Sequence, residues 1–365
     1  MDFDLSDDQI ALRDTAREML DDLAASGRVR SFTETDEPFD RELWGALVEQ
    51  GWLLVDADEL DGGLGLGIVE VAVLLEQLGA HAAPVPYLST VLVARAHERA
   101  GVAGGRFRAG ADIGCVAWSR RADAVNAEPH DDGWILHGRT DPVPYAPVAD
   151  CAVVVARMPD GDAGLFSVEL GAGDRGSGRP AREPAMDVTR PLGWLRCAAT
   201  PAQFLGDRAA LDTLVDEGAT FVAAEMLGGA QAVLDMAVAY AKERVQFGRP
   251  IGSFQAVKHR CADMLVDVEG MRSSVYWAAW AIGAGDPDAS EAAATAKIWG
   301  SDASRRVMAS GLQVHGGIGF TWEHDLHFFL KRAQLDQVTF GDADHHRSRL
   351  AARLRERVAA GGSVV

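Results

Sequence analysis

Residues 240–264, YAKERVQFGRPIGSFQAVKHRCADM, decide how the rest of the chain is read. A helical run ends at Arg244, and Gln246, Phe247 and Gly248 turn a corner. Pro250 cannot continue a helix, and Ser253 offers a hydroxyl to cap a new helix opening at Phe254-Gln255. Arg244 supplies a forked, permanently charged donor suited to a pyrophosphate. The fresh helix N-terminus adds backbone N–H groups and a favourable dipole. Such an arm can reach out of one subunit and hold the phosphates of a cofactor bound mainly by another. Spacing alone fits a plain helix–turn–helix with a surface arginine equally well.

Composition bounds what the arm serves. The chain has 365 residues, enough for two or three domains with large cores, and its 48% hydrophobic and 24% charged content is that of a globular protein. Its net charge is −19, from 54 acids against 35 bases. A chain this acidic is repelled by phosphate backbones and anionic lipid, which argues against nucleic-acid and membrane roles. The four cysteines (Cys115, Cys151, Cys197, Cys261) are isolated, so neither a zinc site nor a disulfide framework is expected. The N-terminal stretch is acidic and amphipathic rather than a leader. No stretch is read as reaching the roughly 20 apolar residues of a membrane span. A cytoplasmic location is expected.

Working outward from the arm, the chain changes character twice. Residues 1–108 read as a helical domain: Leu5, Ile10, Leu12, Ala16, Met19 and Leu20 repeat at helical spacing, with Ser6 and Gln9 as a capping box. Residues 43–54 and 68–78 read as further helices, separated by the glycine-rich corner 61–67. Residues 109–205 carry short β-like runs at 113–118, 133–136, 151–156 and 163–168, broken by Gly, Pro and Asp, as in a small β-barrel or sandwich. The stretch 171–180 reads as a surface loop. Residues 206–365 return to long alanine-rich helices: 211–244 (interrupted only by Gly218, Gly228 and Gly229), 254–282, 289–311 and a last pair from about 323. They suggest a four-helix bundle. The fold class is α+β multidomain.

A second constellation follows the arm: Gln313-Val-His-Gly-Gly-Ile-Gly319, whose paired glycines suit a helix end or a close backbone approach to a ligand. Alone it reads better as a helix cap. The arm pattern R-x-Q-F-G-x-P-I-x-x-F-Q, followed later by Q-x-x-G-G-x-G-F, together resembles the flavin-dependent acyl-CoA dehydrogenases. Gly51-Trp52, Gly62-Gly63-x-Gly65 and Glu76-x-x-Gly79 extend the resemblance to nearly the whole chain. It implies that family's fold: an N-terminal helical domain, a middle β-barrel or sandwich and a C-terminal four-helix bundle. It further implies FAD at a subunit interface, with Arg244, Gln246, Phe247, Phe254, Gln255, Gln313, Gly316 and Gly317 reaching to the neighbour's flavin. An acyl-CoA substrate and an electron-transfer flavoprotein as acceptor follow from the same resemblance.

The departures narrow that reading. Family members remove the α-proton of an acyl-CoA with a carboxylate while the β-hydride moves to flavin N5, so the base must lie within reach with a tuned pKa. Gapless counting puts the commonest base, the Glu of an E-G-T segment, at Phe340, and the alternative base at Gly218. Glu217 is adjacent, but one residue turns about 100° around a helix. An arginine that helps hold the CoA ester falls at Ala219 by the same count, although an acid at the preceding family position survives as Asp216. The middle-domain runs that contact flavin are replaced by VAWSRRADAV (116–125) and DPVPYAPVAD (141–150). The asymmetry implies the heteromeric (α2β2) subclass acting on bulky CoA esters such as steroid side chains. This chain would be the arm-donating subunit, and a second dehydrogenase-like subunit would carry the base. Two alternatives stay open: a homo-oligomeric flavoenzyme with Asp342 as a relocated base, and a scaffold that has lost flavin. No metal site is expected: 342–346 (DADHH) reads as a solvated helix face, His315 as a packing or cofactor-adjacent residue, Cys261 as buried and inert, and Trp277, Trp280 and Trp299 as core or interface anchors.

Overall fold

The computed structural model describes residues 4–121, 123–131, 133–171 and 178–363, so most of the expected loop at 171–180 lies outside the described residues. Helices come first: α1 (Asp7–Leu23), α2 (Ser26–Thr33), α3 (Arg41–Glu49), α4 (Ile68–Ala80), α5 (Tyr87–Arg99) and α6 (Gly105–Arg108). Six strands follow: β1 (Gly114–Ala117), β2 (Val125–His130), β3 (Gly133–Pro144), β4 (Cys151–Arg157), β5 (Ala163–Glu169) and β6 (Leu192–Gly206). Helices then return as α7 (Arg208–Glu243), α8 (Gln255–Gly283), α9 (Ala289–His315), α10 (Leu326–Val338) and α11 (Ala343–Ala359), with β7 (Val245–Gln246) and β8 (Arg249–Pro250) between α7 and α8. Ser6 and Gln9 form the reciprocal capping box at the start of α1. The helix expected over 43–54 is broken: α3 stops at Glu49 because Gly51 is left-handed (φ +74), and residues 52–54 form a separate 3₁₀ turn.

These elements group into two compact units. One holds residues 32–66 and 84–218, and its heart is the β region. There the strand order β1-β4-β2-β3-β6-β5, with β4 also paired to β5, closes the sheet into a small barrel with β1 on its edge. Bulges near His137 and between Arg139 and Pro142 let the long β3 and β6 bend around it. Trp134, Phe166 and Phe204 pack ring against ring within 6.0 Å. His97 of α5 donates from Nδ1 to the Val93 carbonyl (2.8 Å) and meets the buried Ser167 hydroxyl at 2.9 Å, which in turn lies 3.2 Å from Cys151. Burial pushes the Cys151 thiol up to about 11, so this cluster is a neutral hydrogen-bond network rather than a nucleophile.

The other unit holds residues 1–31, 67–83 and 219–365. It contains α8 to α11 and the C-terminal part of α7, the helices expected from the sequence, together with α1 and α4. Gly228 and Gly229 do not interrupt α7, which runs unbroken for 36 residues. Gly228 instead lets α4 approach, since a Cβ there would lie 2.7 Å from the Ala80 nitrogen; Gly79 does the same from α4, 2.9 Å from Glu225 Cα. Glu76, beside this crossing, accepts from the Tyr276 hydroxyl (2.6 Å) and pairs with Arg272. The expectation that no stretch is apolar enough for a membrane span fails at α7. By length and composition α7 is apolar enough to cross a membrane (mean hydropathy 1.4 over its best window), but 72% of that window is buried inside the fold. It is a core helix, apolar nearly all round because it is enclosed nearly all round.

Candidate cofactor-binding arm

The arm is a β-hairpin, not a simple corner. Val245 pairs with Pro250 and Gln246 with Arg249, leaving Phe247 and Gly248 as a two-residue turn with φ of +53 and +78. Both signs are those of a type I′ turn. Glycine takes this conformation freely, whereas phenylalanine pays strain for it. The outcome is a ring at the very tip, 91% exposed. It stands edge-on to Phe254 (6.1 Å between centroids), and the Arg249 guanidinium lies 4.2 Å from the Phe254 ring centre. Gln246 folds back on the Val245 carbonyl (2.9 Å), and Arg244 and Gln255 are exposed. Ser253 does not cap α8. Its hydroxyl donates to the Pro250 carbonyl (2.7 Å), Phe254 takes the cap position in extended backbone, and no side chain caps this helix end. The N-terminus of α8 is therefore open to an anion.

The glycine segment begins where α9 ends. Gln313 is exposed on the last turn, Gly316 is left-handed (φ +64, ψ −140), and a Cβ on Gly316 or Gly317 would meet nothing within 4 Å among the described residues. His315 is buried (4% exposed), its Nδ1 2.8 Å from the Gly311 carbonyl and its Nε2 without a hydrogen-bond partner. Its ring stacks on Tyr240 of α7 at 4.8 Å. The structure thus brings the root of the arm and the glycine segment together through two residues outside the expected contact set.

The two positions at which the resemblance places a base, 340 and 218, hold no carboxylate. Phe340 is 4% exposed with φ +56, and its carbonyl accepts from His346 Nε2 at 2.8 Å. His346 is fully buried, which corrects the expectation of a solvated helix face for 342–346; burial drives its pKa down to about 3. Lys297, also fully buried, donates to the carbonyls of Asp336 (2.9 Å) and Gln337 (3.0 Å) at the end of α10, and burial lowers its pKa to about 7. Asp342 accepts from the His345 amide (2.9 Å) as the N-cap of α11, a structural task for a carboxylate proposed as a relocated base. Gly218 is buried within α7. Its neighbour Glu217 is 1% exposed, with its carboxylate engaged by Arg95 (2.7 Å) and Arg99. Neither Trp280 nor Trp299 is a core residue; each is more than a third exposed, and Cys261 is half-buried. Among the described residues no group of His, Cys, Asp and Glu is placed to hold a metal ion.

Residues 206–355 match the family description acyl-CoA dehydrogenase, C-terminal domain, and residues 6–103 match its N-terminal domain. Acyl-CoA dehydrogenase IpdE2 of Mycolicibacterium smegmatis is 34% identical over 96% of this chain and 100% of its own length. The chain belongs to the acyl-CoA dehydrogenase family. Two solved structures share its fold at a TM-score of 0.90. The Tcur3481–Tcur3483 steroid ACAD, solved as a variant, is 33% identical, covering 96% of this chain and 99% of that one. The ChsE4–ChsE5 complex from Mycobacterium tuberculosis is 31% identical, covering 98% and 99%. The family is one of flavoprotein oxidoreductases of lipid and steroid β-oxidation, and its cofactor is FAD. The residues present suit such a group: an exposed arginine, an open helix N-terminus for a pyrophosphate, and free space over two glycines for close backbone approach.

Proposed function

We propose that this chain is the arm-donating subunit of a heteromeric, FAD-dependent acyl-CoA dehydrogenase. Arg244, Gln246, Phe247, Phe254, Gln255, Gln313, Gly316 and Gly317 would hold the FAD of a second dehydrogenase-like subunit in an α2β2 assembly, while that subunit carries the base. When bound, FAD supplies the hydride acceptor for α,β-dehydrogenation. This chain's residues bind and orient it, and its own α-proton acceptor is missing. The substrate class is a bulky acyl-CoA ester, a steroid side chain foremost, a reading supported by the similarity, at 33% identity and a TM-score of 0.90, to a steroid ACAD. An electron-transfer flavoprotein would reoxidise the enzyme, and the cytoplasm is the expected location.

The observation that carries this reading is the contrast between the two sets of positions. The arm is built, exposed and tipped by an aromatic residue held in left-handed backbone, while both base positions lack a carboxylate: Phe340 is buried and Gly218 has no side chain. A self-sufficient enzyme using Asp342 is disfavoured by that residue's capping bond. The test is to express the chain alone and together with a candidate partner, then measure bound flavin and acyl-CoA-dependent reduction of an electron acceptor. Flavin and activity only in the complex support the proposal; stoichiometric FAD with activity from the chain alone overturns it.

A further inference from the structure

The arm and the glycine turn belong to different helices, and one buried ring joins them. His315 is the last residue of α9, immediately before Gly316. Its ring lies flat against Tyr240 (4.8 Å, 27° between planes) and edge-on to His324 (4.4 Å, 63°). Because Nδ1 faces a carbonyl, that of Gly311, Nδ1 carries the proton and the ring cannot turn without losing the bond. Tyr240 in turn anchors the arm: its carbonyl accepts the Arg244 amide (2.8 Å), and the Arg244 carbonyl accepts the Ile251 amide (2.8 Å) across the base of the hairpin. The hairpin has no slack on its other side, since a Cβ at Gly252 would lie 2.8 Å from the Ala241 carbonyl oxygen.

We propose that His315 is a positioning residue of the flavin site. Through its stack on Tyr240 it fixes the arm at 244–251 and the glycine turn at 316–317 relative to each other, so that both address one FAD. The ring does so by shape and by its bond to Gly311, without serving as an acid or base. This rests on the function proposed above, but its mechanical half concerns this chain alone and is measured without flavin.

The experiment follows amide hydrogen exchange of the full-length chain at 244–251 and 316–320, then FAD affinity of the complex with its partner. Three variants are compared with the parent: His315→Ala, Tyr240→Leu and His315→Phe. The first two remove the stack and raise exchange in both segments together, by roughly fivefold to tenfold for a single ring pair. They weaken FAD binding by a similar factor. His315→Phe retains a flat ring and keeps exchange in 244–251 near the parent value, a rescue that a mere loss of folding would not show. If His315→Ala loosens only 316–320 and leaves 244–251 unchanged, the coupling is wrong. If exchange behaves as expected but the parent complex binds no FAD, the proposed function fails, and with it the flavin half of this inference.

Discussion

Gly228 and Gly229 are neighbours in α7, yet the structure predicts opposite outcomes for the same substitution. Alanine is favoured over glycine within a helix by about 1 kcal/mol, so either change gains that much from backbone entropy alone. At Gly229 the nearest atoms to a new Cβ are 3.6 Å away, ordinary contact, and the gain survives. At Gly228 the Cβ would stand 2.8 Å from the Glu76 carbonyl carbon and 2.7 Å from the Ala80 nitrogen, with the Glu76 carbonyl oxygen closer still. These are backbone atoms of α4, so relief requires two helices to separate. Overpacking of a rigid core costs about 3 kcal/mol at the upper end of its usual range. The net is a loss of about 2 kcal/mol for Gly228→Ala, against a gain of up to about 1 kcal/mol for Gly229→Ala. Urea titrations of the two variants beside the parent, followed by circular dichroism at 222 nm, give the midpoints. Equal shifts for both, or a stabilised Gly228→Ala, would refute the claim that helix contact rather than propensity sets these glycines.

Further outcomes follow from the remaining geometry. Phe340→Glu places a carboxylate in a buried, left-handed position; it is expected to destabilise by about 3 kcal/mol and to yield no dehydrogenase activity from the chain alone, read by dye reduction with acyl-CoA. Glu217→Ala strips the shared partner from Arg95 and Arg99 and costs about 3 kcal/mol, softened by the partial exposure of Arg99; thermal melting measures it. Burial lowers the pKa of His327 to about 4 and of His346 to about 3, against 6.5 unperturbed. The unfolded chain therefore binds more protons across that window, so stability is full above pH 6.5 and falls as pH drops toward 3–4. His346→Gln, which still donates toward Phe340, flattens the acid limb of a urea-midpoint series. Arg244→Ala lowers FAD affinity of the complex by about tenfold or more, as expected for a lost charge-assisted contact, while leaving the melting temperature of the chain unchanged.

Periodicity carried the helix–β–helix order because long apolar repeats report burial directly. Where burial is shared with backbone contact, sequence pattern misleads. Glycines 228 and 229 look like breaks in α7, yet one of them is where α4 touches. Strand β6, LGWLRCAATPAQFLG, was not foreseen: small and polar residues dominate it, and its partner β3 rather than its own composition holds it extended. The hairpin was hidden for a related reason. Phe-Gly is a poor signal for a type I′ turn compared with Asn-Gly, so the motif identified the residues but not their conformation. In 342–346 charge density suggested solvent, whereas helix geometry turns His346 inward to grip the Phe340 carbonyl. Tyr240 and His324 carried no signal beyond proximity to the motifs; a histidine placed before paired glycines was the nearest hint.

The exposed ring of Phe247 has a consequence for how the cell must handle this polypeptide. On the proposed function, a copy synthesised without its companion leaves uncovered the surface that the companion would bury, Phe247 and Val245 of the arm included, and an open subunit interface invites chaperones and self-association. Surplus copies are then removed while assembled ones persist. The amounts of the two polypeptides become matched after translation, and silencing the companion's gene would deplete this chain without touching its messenger RNA.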